Sequence, residues 1–152
     1  MTDTNSPADP TMIYTVMTEI GIIAQLSNTS LERALPAGLR LSNFIVLHHL
    51  SRLGGAWTPA RLASAIQVTK GAMTNTVQRL EAKGFVSVEA DPNDARSKLV
   101  TLTDAGQSMR DRALMEAAPV FAHLMDDFEV SEFEAAQPFL ARLRASMDKA
   151  RD

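Results

Sequence analysis

Lys70, Gly71, Thr74, Asn75 and Gln78 follow one another at steps of one, three, one and three residues, which puts them on one face if the segment is helical. That set of side chains suits DNA. Asn and Gln each make two hydrogen bonds to a base edge, Thr bonds an edge or a phosphate and touches a thymine methyl, and Lys near a helix start meets a phosphate. Gly71 lets the backbone come close, and Thr69 just before it is a good helix cap. A polar outer face is also what any surface helix presents. A second feature sharpens the reading. Downstream, Asp91, Pro92, Asn93 and Asp94 supply turn formers, followed by Arg96 and Lys98. A guanidinium at a hairpin tip can lie in a minor groove, where negative potential concentrates, and Asp94, two residues earlier, is placed to orient it.

These residues need elements that hold them. Ile13, Val16, Met17, Ile20, Ile23, Ala24 and Leu31 recur with helical period from Thr11 to about Leu35, where Pro36 and Gly38 stop the helix. Ser42 is placed to cap a second helix with Phe44, Leu47, Leu50 and Leu53 inward, ended by Gly54 and Gly55. Thr58 and Pro59 open a third, about 59–66, burying Leu62, Ala63 and Ile66. Thr69 opens a fourth that buries Ala72 or Met73, Val77 and Leu80 and closes at Gly84. Residues 85–90 and 97–103 then switch to a period of two, predicting antiparallel strands joined across Asp91 to Arg96. Thr103 and Asp104 start a helix of about 104–128, and Ser131 with Glu134 has the form of a capping box for a last helix, about 132–150. Pro119 and Pro138 should bend these two. Two short helices across a tight turn, then a hairpin, make a winged helix-turn-helix. The expected fold is mostly α: a three-helix core with a β-hairpin wing over 41–103, flanked by terminal helices.

Bulk properties bound the function. At 152 residues with 45% hydrophobic and 22% charged, the chain suits one domain over 11–152. Residues 1–10 carry acids and prolines where a signal peptide needs a basic patch and an apolar run, and read as a flexible arm. No apolar run nears the roughly 18 residues that span a bilayer, so no membrane partner and a cytoplasmic location are expected. The absence of cysteine excludes disulfides and thiolate metal sites. His48 and His49 project about 100° apart on a helix, so neither a metal nor a cofactor is expected. No nucleophile, phosphate loop or paired-carboxylate pattern marks an enzyme. The formal charge of −3 hides an uneven distribution: residues 58–110 hold seven Lys and Arg against five Asp and Glu, and 111–152 hold five against nine. The middle is mildly basic and the tail acidic.

The stretch TNTVQRLEAKGFV followed by DPNDARSKLVTLTDAG resembles the MarR family of bacterial transcriptional regulators. Its wing carries an Asp-x-Arg, here Asp94, Ala95 and Arg96, and a Leu-Thr-x-x-Gly return, here Leu102 to Gly106. The similar order of helices extends the resemblance over nearly the whole chain. It implies a homodimer held by the first and last helices (11–35 and 104–150), with two winged helices on a palindromic operator in double-stranded DNA. A ligand crevice is implied where those parts join. The expected function is a sequence-specific repressor whose operator affinity responds to a small aromatic or phenolic anion. The contrasting reading is a winged-helix protein-interaction module that has lost most DNA affinity.

On this reading Thr69, Lys70, Gly71, Thr74, Asn75, Gln78, Asp94, Arg96 and Lys98 face DNA. Ile13, Val16, Ile20, Phe133, Leu140, Leu143 and Met147 form the dimer seam, since one terminal helix cannot hide its apolar stripe on so small a body. His48, His49 and Arg52 suit a ligand carboxylate in the crevice. The chain departs from the family where basic residues are common: it has Val88, Glu89 and Ala95 around the wing tip, and Asn75 in place of a frequent arginine. Fewer cations lower both affinity and its salt slope, so weaker DNA binding is expected, with discrimination resting on Thr74, Asn75 and Gln78.

Overall fold

The computed structural model describes residues 9–150; the expected N-terminal arm lies outside them up to residue 8. Along the chain run α1 (Pro10–Ala34), α2 (Leu41–Leu53), α3 (Pro59–Ile66), α4 (Lys70–Ala82), β1 (Val86–Asp91), β2 (Asp94–Leu102), α5 (Asp104–Ala122), α6 (Leu124–Asp127) and α7 (Val130–Lys149). This is the mostly helical winged helix-turn-helix that the periodicity predicts. The chain divides into two compact units, one ending at Ala117 and the other beginning at Ala118.

In the first unit the helix boundaries follow from local chemistry. Asp9 caps α1 by accepting from the Thr11 N–H at 2.9 Å, with Pro10 in the first turn. The helix stops at Ala34 because Leu35 precedes Pro36 and takes an extended ψ of 150°. The start of α2 differs from expectation: the cap is Arg40, not Ser42. Asn43 accepts from the Arg40 N–H at 3.4 Å, and Glu32 reaches over from α1 to accept from the Leu41 N–H at 2.7 Å. A tertiary contact replaces the serine. Gly54 and Gly55 end α2 at positive φ, and Leu53 is exposed rather than buried, because it falls past the last turn that faces the core.

Thr58 accepts from the Arg61 N–H at 3.2 Å to start α3. Its end is a left-handed Gln67, φ 65°, with the Val68 N–H bonded back to Ala63. That reversal is the turn of the helix-turn-helix. Leu47, Leu50, Leu62, Met73, Leu80 and Val100 are almost fully buried and form the centre of the core where α2, α3, α4 and the hairpin meet.

The hairpin is antiparallel, with Val86 opposite Leu102 and Val88 opposite Val100. Trp57 adds a short third rung, exchanging both backbone hydrogen bonds with Val100 at 3.0 and 2.8 Å. At the start of α5, Thr103 donates its hydroxyl to the Gly84 carbonyl at 2.6 Å and accepts from the Gly106 N–H at 3.1 Å. Gly106 is buried there for a steric reason: a β-carbon on it would sit 2.0 Å from the Phe85 carbonyl oxygen.

In the second unit, α7 begins two residues before the expected position. Glu129 and Glu132 form the capping box, with the Glu129 N–H donating to Glu132 at 2.9 Å, instead of Ser131 with Glu134. Phe128 and Phe133 meet edge to face with centroids 6.1 Å apart. They stand just before the cap and in the first full turn, the positions of a hydrophobic staple, and that contact selects the earlier start.

Gly106→Ala should lower stability by about 1–3 kcal/mol, because the clash is with backbone that cannot swing away. Gly71→Ala, whose β-carbon would meet nothing within 4 Å, should hold or raise stability by up to ~1 kcal/mol through helix propensity. Urea unfolding of the two variants beside wild type measures the contrast.

Candidate nucleic-acid interface

Thr69 caps α4, accepting from the Ala72 N–H at 3.1 Å. Met73, Thr76, Val77 and Leu80 are buried, a spacing of three, four and seven that fixes the helix's rotation about its axis. Of the two residues that could start the buried stripe, Met73 is inside and Ala72 exposed. The buried Thr76 hydroxyl is satisfied by the Ala72 carbonyl at 3.0 Å. With that stripe inside, Thr69, Lys70, Gly71, Thr74, Asn75 and Gln78 are all exposed. Thr74 donates its hydroxyl proton to the Lys70 carbonyl at 2.9 Å, so towards an external partner it offers acceptor lone pairs and a methyl group.

A shallow groove runs between α4 and the wing, lined by Pro59, Thr74, Val77, Gln78, Glu81, Val88 and Lys98. It joins Thr74 and Gln78 to Lys98, which lies twenty residues further along the chain. Pro59 and Glu81 were not singled out from the sequence. Glu81 follows Thr74 and Gln78 by seven and three residues, which is the only signal that would have found it.

The wing tip is tighter than the expected loop from Asp91 to Arg96. Asp91 pairs with Asp94, leaving Pro92 and Asn93 as the turn, and the register then shifts so that Ala90 faces Lys98. Residues 95–97 therefore bulge out of β2, and Arg96 stands exposed in that bulge instead of at the tip. Asp94 does act on Arg96, but through the backbone: its carboxylate accepts from the Arg96 N–H at 3.0 Å, as Asp91 accepts from Asn93 at 2.9 Å. These Asx turns set the bulge and leave the guanidinium to the solvent.

The two histidines of α2 have different neighbours. His48 stacks on Phe44, and its Nδ1 lies 3.3 Å from Nε and 3.2 Å from Nη2 of Arg110. Arg110, which the sequence reading did not pick out, also pairs with Asp111 at 2.9 Å. Because guanidinium only donates, Nδ1 must accept, which makes His48 the neutral Nε2–H tautomer. Burial, then Arg110, Arg52 and His49, hold its pKa below 6.5. His49 turns instead to Trp57, edge on with centroids 4.6 Å apart, and burial followed by Arg52 lowers its pKa as well. His48 and His49 thus have separate neighbours, with the exposed Arg52 acting on both. Among the described residues no group of three His, Asp or Glu is placed to hold a metal, and no helix is long and apolar enough to cross a membrane.

The terminal helices carry the residues assigned to a dimer seam. No residue of α1 is buried; Ile13 is 57% exposed, and Val16 and Ile20 are half-covered. No residue of α7 is buried either, with Phe133, Leu140 and Met147 exposed and Leu143 half-covered. Each helix shows an apolar stripe to its surroundings.

Comparison with known proteins places this geometry. Residues 37–97 match the sequence model of the MarR family. The transcriptional activatory protein BadR of Rhodopseudomonas palustris is 27% identical over 124 residues, covering 79% of this chain and 71% of that protein. The apo form of wild-type MarR from E. coli superposes with a TM-score of 0.71 at 26% identity, over 83% of this chain and 94% of that one. A cysteine-to-serine mutant of MarR from E. coli, complexed with operator DNA, gives 0.72 at 25% identity over 87% and 95%.

Two histidines with lowered pKa values bind fewer protons folded than unfolded, so their contribution to stability is complete above 6.5 and is lost as pH falls below it. The melting temperature should drop on acidification through that range. His48→Asn, which cannot gain the proton, should flatten the dependence in a thermal scan repeated at each pH.

Proposed function

We propose that the chain is a transcriptional regulator of the MarR family that acts as a homodimer on a palindromic operator. Each α4 enters a major groove, and each wing reaches into the flanking minor groove. One observation carries this: burying Met73, Val77 and Leu80 turns Thr74, Asn75 and Gln78 outward, and Thr74 and Gln78 share a groove with Lys98 of the wing. Asn75 and Gln78 read base edges, Thr74 accepts or touches a methyl, and Lys70 and Lys98 meet phosphates. Thr69 and Gly71 shape the start of the helix, and Asp94 sets the bulge from which Arg96 enters the minor groove.

The apolar stripes of α1 and α7 support a dimer, since a lone chain would leave Ile13, Leu140 and Met147 in water. A dimer seated across a promoter excludes polymerase and represses. Seated upstream of one it can activate, the role named for the R. palustris relative. Its place of action is the bacterial cytoplasm, where the DNA is. A small aromatic anion would tune affinity by preferring one separation of the two reading helices over another. The positive charge of Arg110 and Arg52 beside His48 supports that ligand class.

Two measurements test the reading. In gel shifts on the duplex upstream of its own coding sequence, Asn75→Ala should cost about 1–3 kcal/mol and relax sequence preference, while Arg96→Ala should weaken binding and reduce the salt slope by about 1. A small aromatic carboxylate titrated into the same assay should shift the curve. No sequence-preferring complex at low salt, or no cost from Arg96→Ala, would favour a protein-interaction module instead. In light scattering the wild type should give twice the chain mass, and Ile13→Glu with Leu140→Glu should move it towards one chain.

A further inference from the structure

We infer that Arg61, held over the Trp57 ring, is a phosphate-binding residue that docks the DNA backbone beside the groove α4 enters; the inference rests on the DNA-binding reading above. The Arg61 guanidinium carbon lies 4.4 Å from the centre of the Trp57 ring, within reach of a cation–π contact. The ring is itself immobilised. Its Nε1 donates to the Gly54 carbonyl at 2.8 Å, His49 packs edge on, and the Trp57 backbone is bonded in both directions to Val100 of β2. Arg61 is nonetheless exposed. Among the described residues the ion pairs take Arg110 and Arg112, and no carboxylate pairs with Arg61.

A cation–π contact uses no N–H···O hydrogen bond, so the guanidinium keeps donors that can fork onto a phosphate. A side chain already fixed in this way loses less rotamer freedom on binding than a lysine on a mobile stem. Its position is also suitable. Pro59 and Arg61 belong to the first turn of α3, and Pro59 lines the groove that holds Thr74, Gln78 and Lys98. In a helix-turn-helix the first helix crosses the backbone while the second enters the groove. A wing with Val88, Glu89 and Ala95 around its tip supplies few cations of its own, and Arg61 adds one from the start of α3.

The test is equilibrium binding at a series of salt concentrations, with two probes: the duplex upstream of the protein's own coding sequence and a mixed-sequence duplex. Arg61→Ala should weaken binding to both by a similar factor, about tenfold, and reduce the log–log salt slope by about 1, with thermal unfolding unchanged. Arg61→Lys should restore the slope but not the full affinity, since it returns the charge without the stacked fork. Should Arg61→Ala lower the melting temperature, Arg61→Gln carries the comparison with the same expectation. An Arg61→Ala protein with wild-type affinity and slope would overturn the inference, as would a loss confined to one duplex with the slope intact, which marks a base contact. A wild type that binds neither duplex would overturn the regulator reading and this inference with it.

Discussion

Helix α4 has one apolar stripe, and the core has one place to receive it. Met73, Val77 and Leu80 pack with Leu47, Leu50 and Leu62, and in a close-packed interior that seating cannot rotate by one residue without placing a polar side chain inside. Everything on the outer face follows. Asn75 and Gln78 are exposed because the residues on the other side of the helix are not, so the geometry of this outer face is a by-product of core packing. The buried Thr76 shows how strictly this holds: its hydroxyl folds back on its own helix because the core offers it no other partner.

Trp57 joins Val86 and Val100 in tying the wing to the same core. Trp57 closes a third rung on the hairpin through Val100, one of the most buried residues in the chain, and carries the start of α3 just beyond it. The base of the wing, the first helix of the reading motif and α2, through His49, therefore meet at one aromatic ring. Further out, the hairpin is governed by different chemistry. Two Asx turns and a bulge place Arg96, and none of them draws on hydrophobic burial. The wing thus has a rigid base, fixed by packing, and an end shaped by short polar contacts.

Electrostatics at the reading surface are sparse. Glu81 lines the same groove as Lys98. On the proposed DNA-binding reading, an acid beside Lys98 leaves phosphate affinity resting on few contacts, and a cation that is already oriented contributes more per charge than a mobile one. On that reading, a charge placed on a fixed aromatic ring is one way for a chain of net charge −3 to hold a polyanion.

Much of this was legible in the sequence, for local reasons. The switch from a period of 3.6 to one of two located the hairpin, Thr58, Thr69 and Thr103 marked helix starts by their own hydroxyls, and the alternation within α4 separated its exposed face from its buried face. Those signals depend only on neighbours within a few residues. The misplacements came where a distant residue intervened. Glu32 of α1 bonds the first amide of α2 and makes Ser42 unnecessary, and the pairing of Phe128 with Phe133 draws the α7 cap back to Glu129. The register shift that moves Arg96 off the wing tip depends on how Asp91 meets Asp94 across the ladder. His48 and His49 could not be assigned from their adjacency, because Arg110 and Trp57, which separate them, lie far along the chain or on another element. Local chemistry determined which faces exist; contacts between segments remote in sequence decided which residues meet across them.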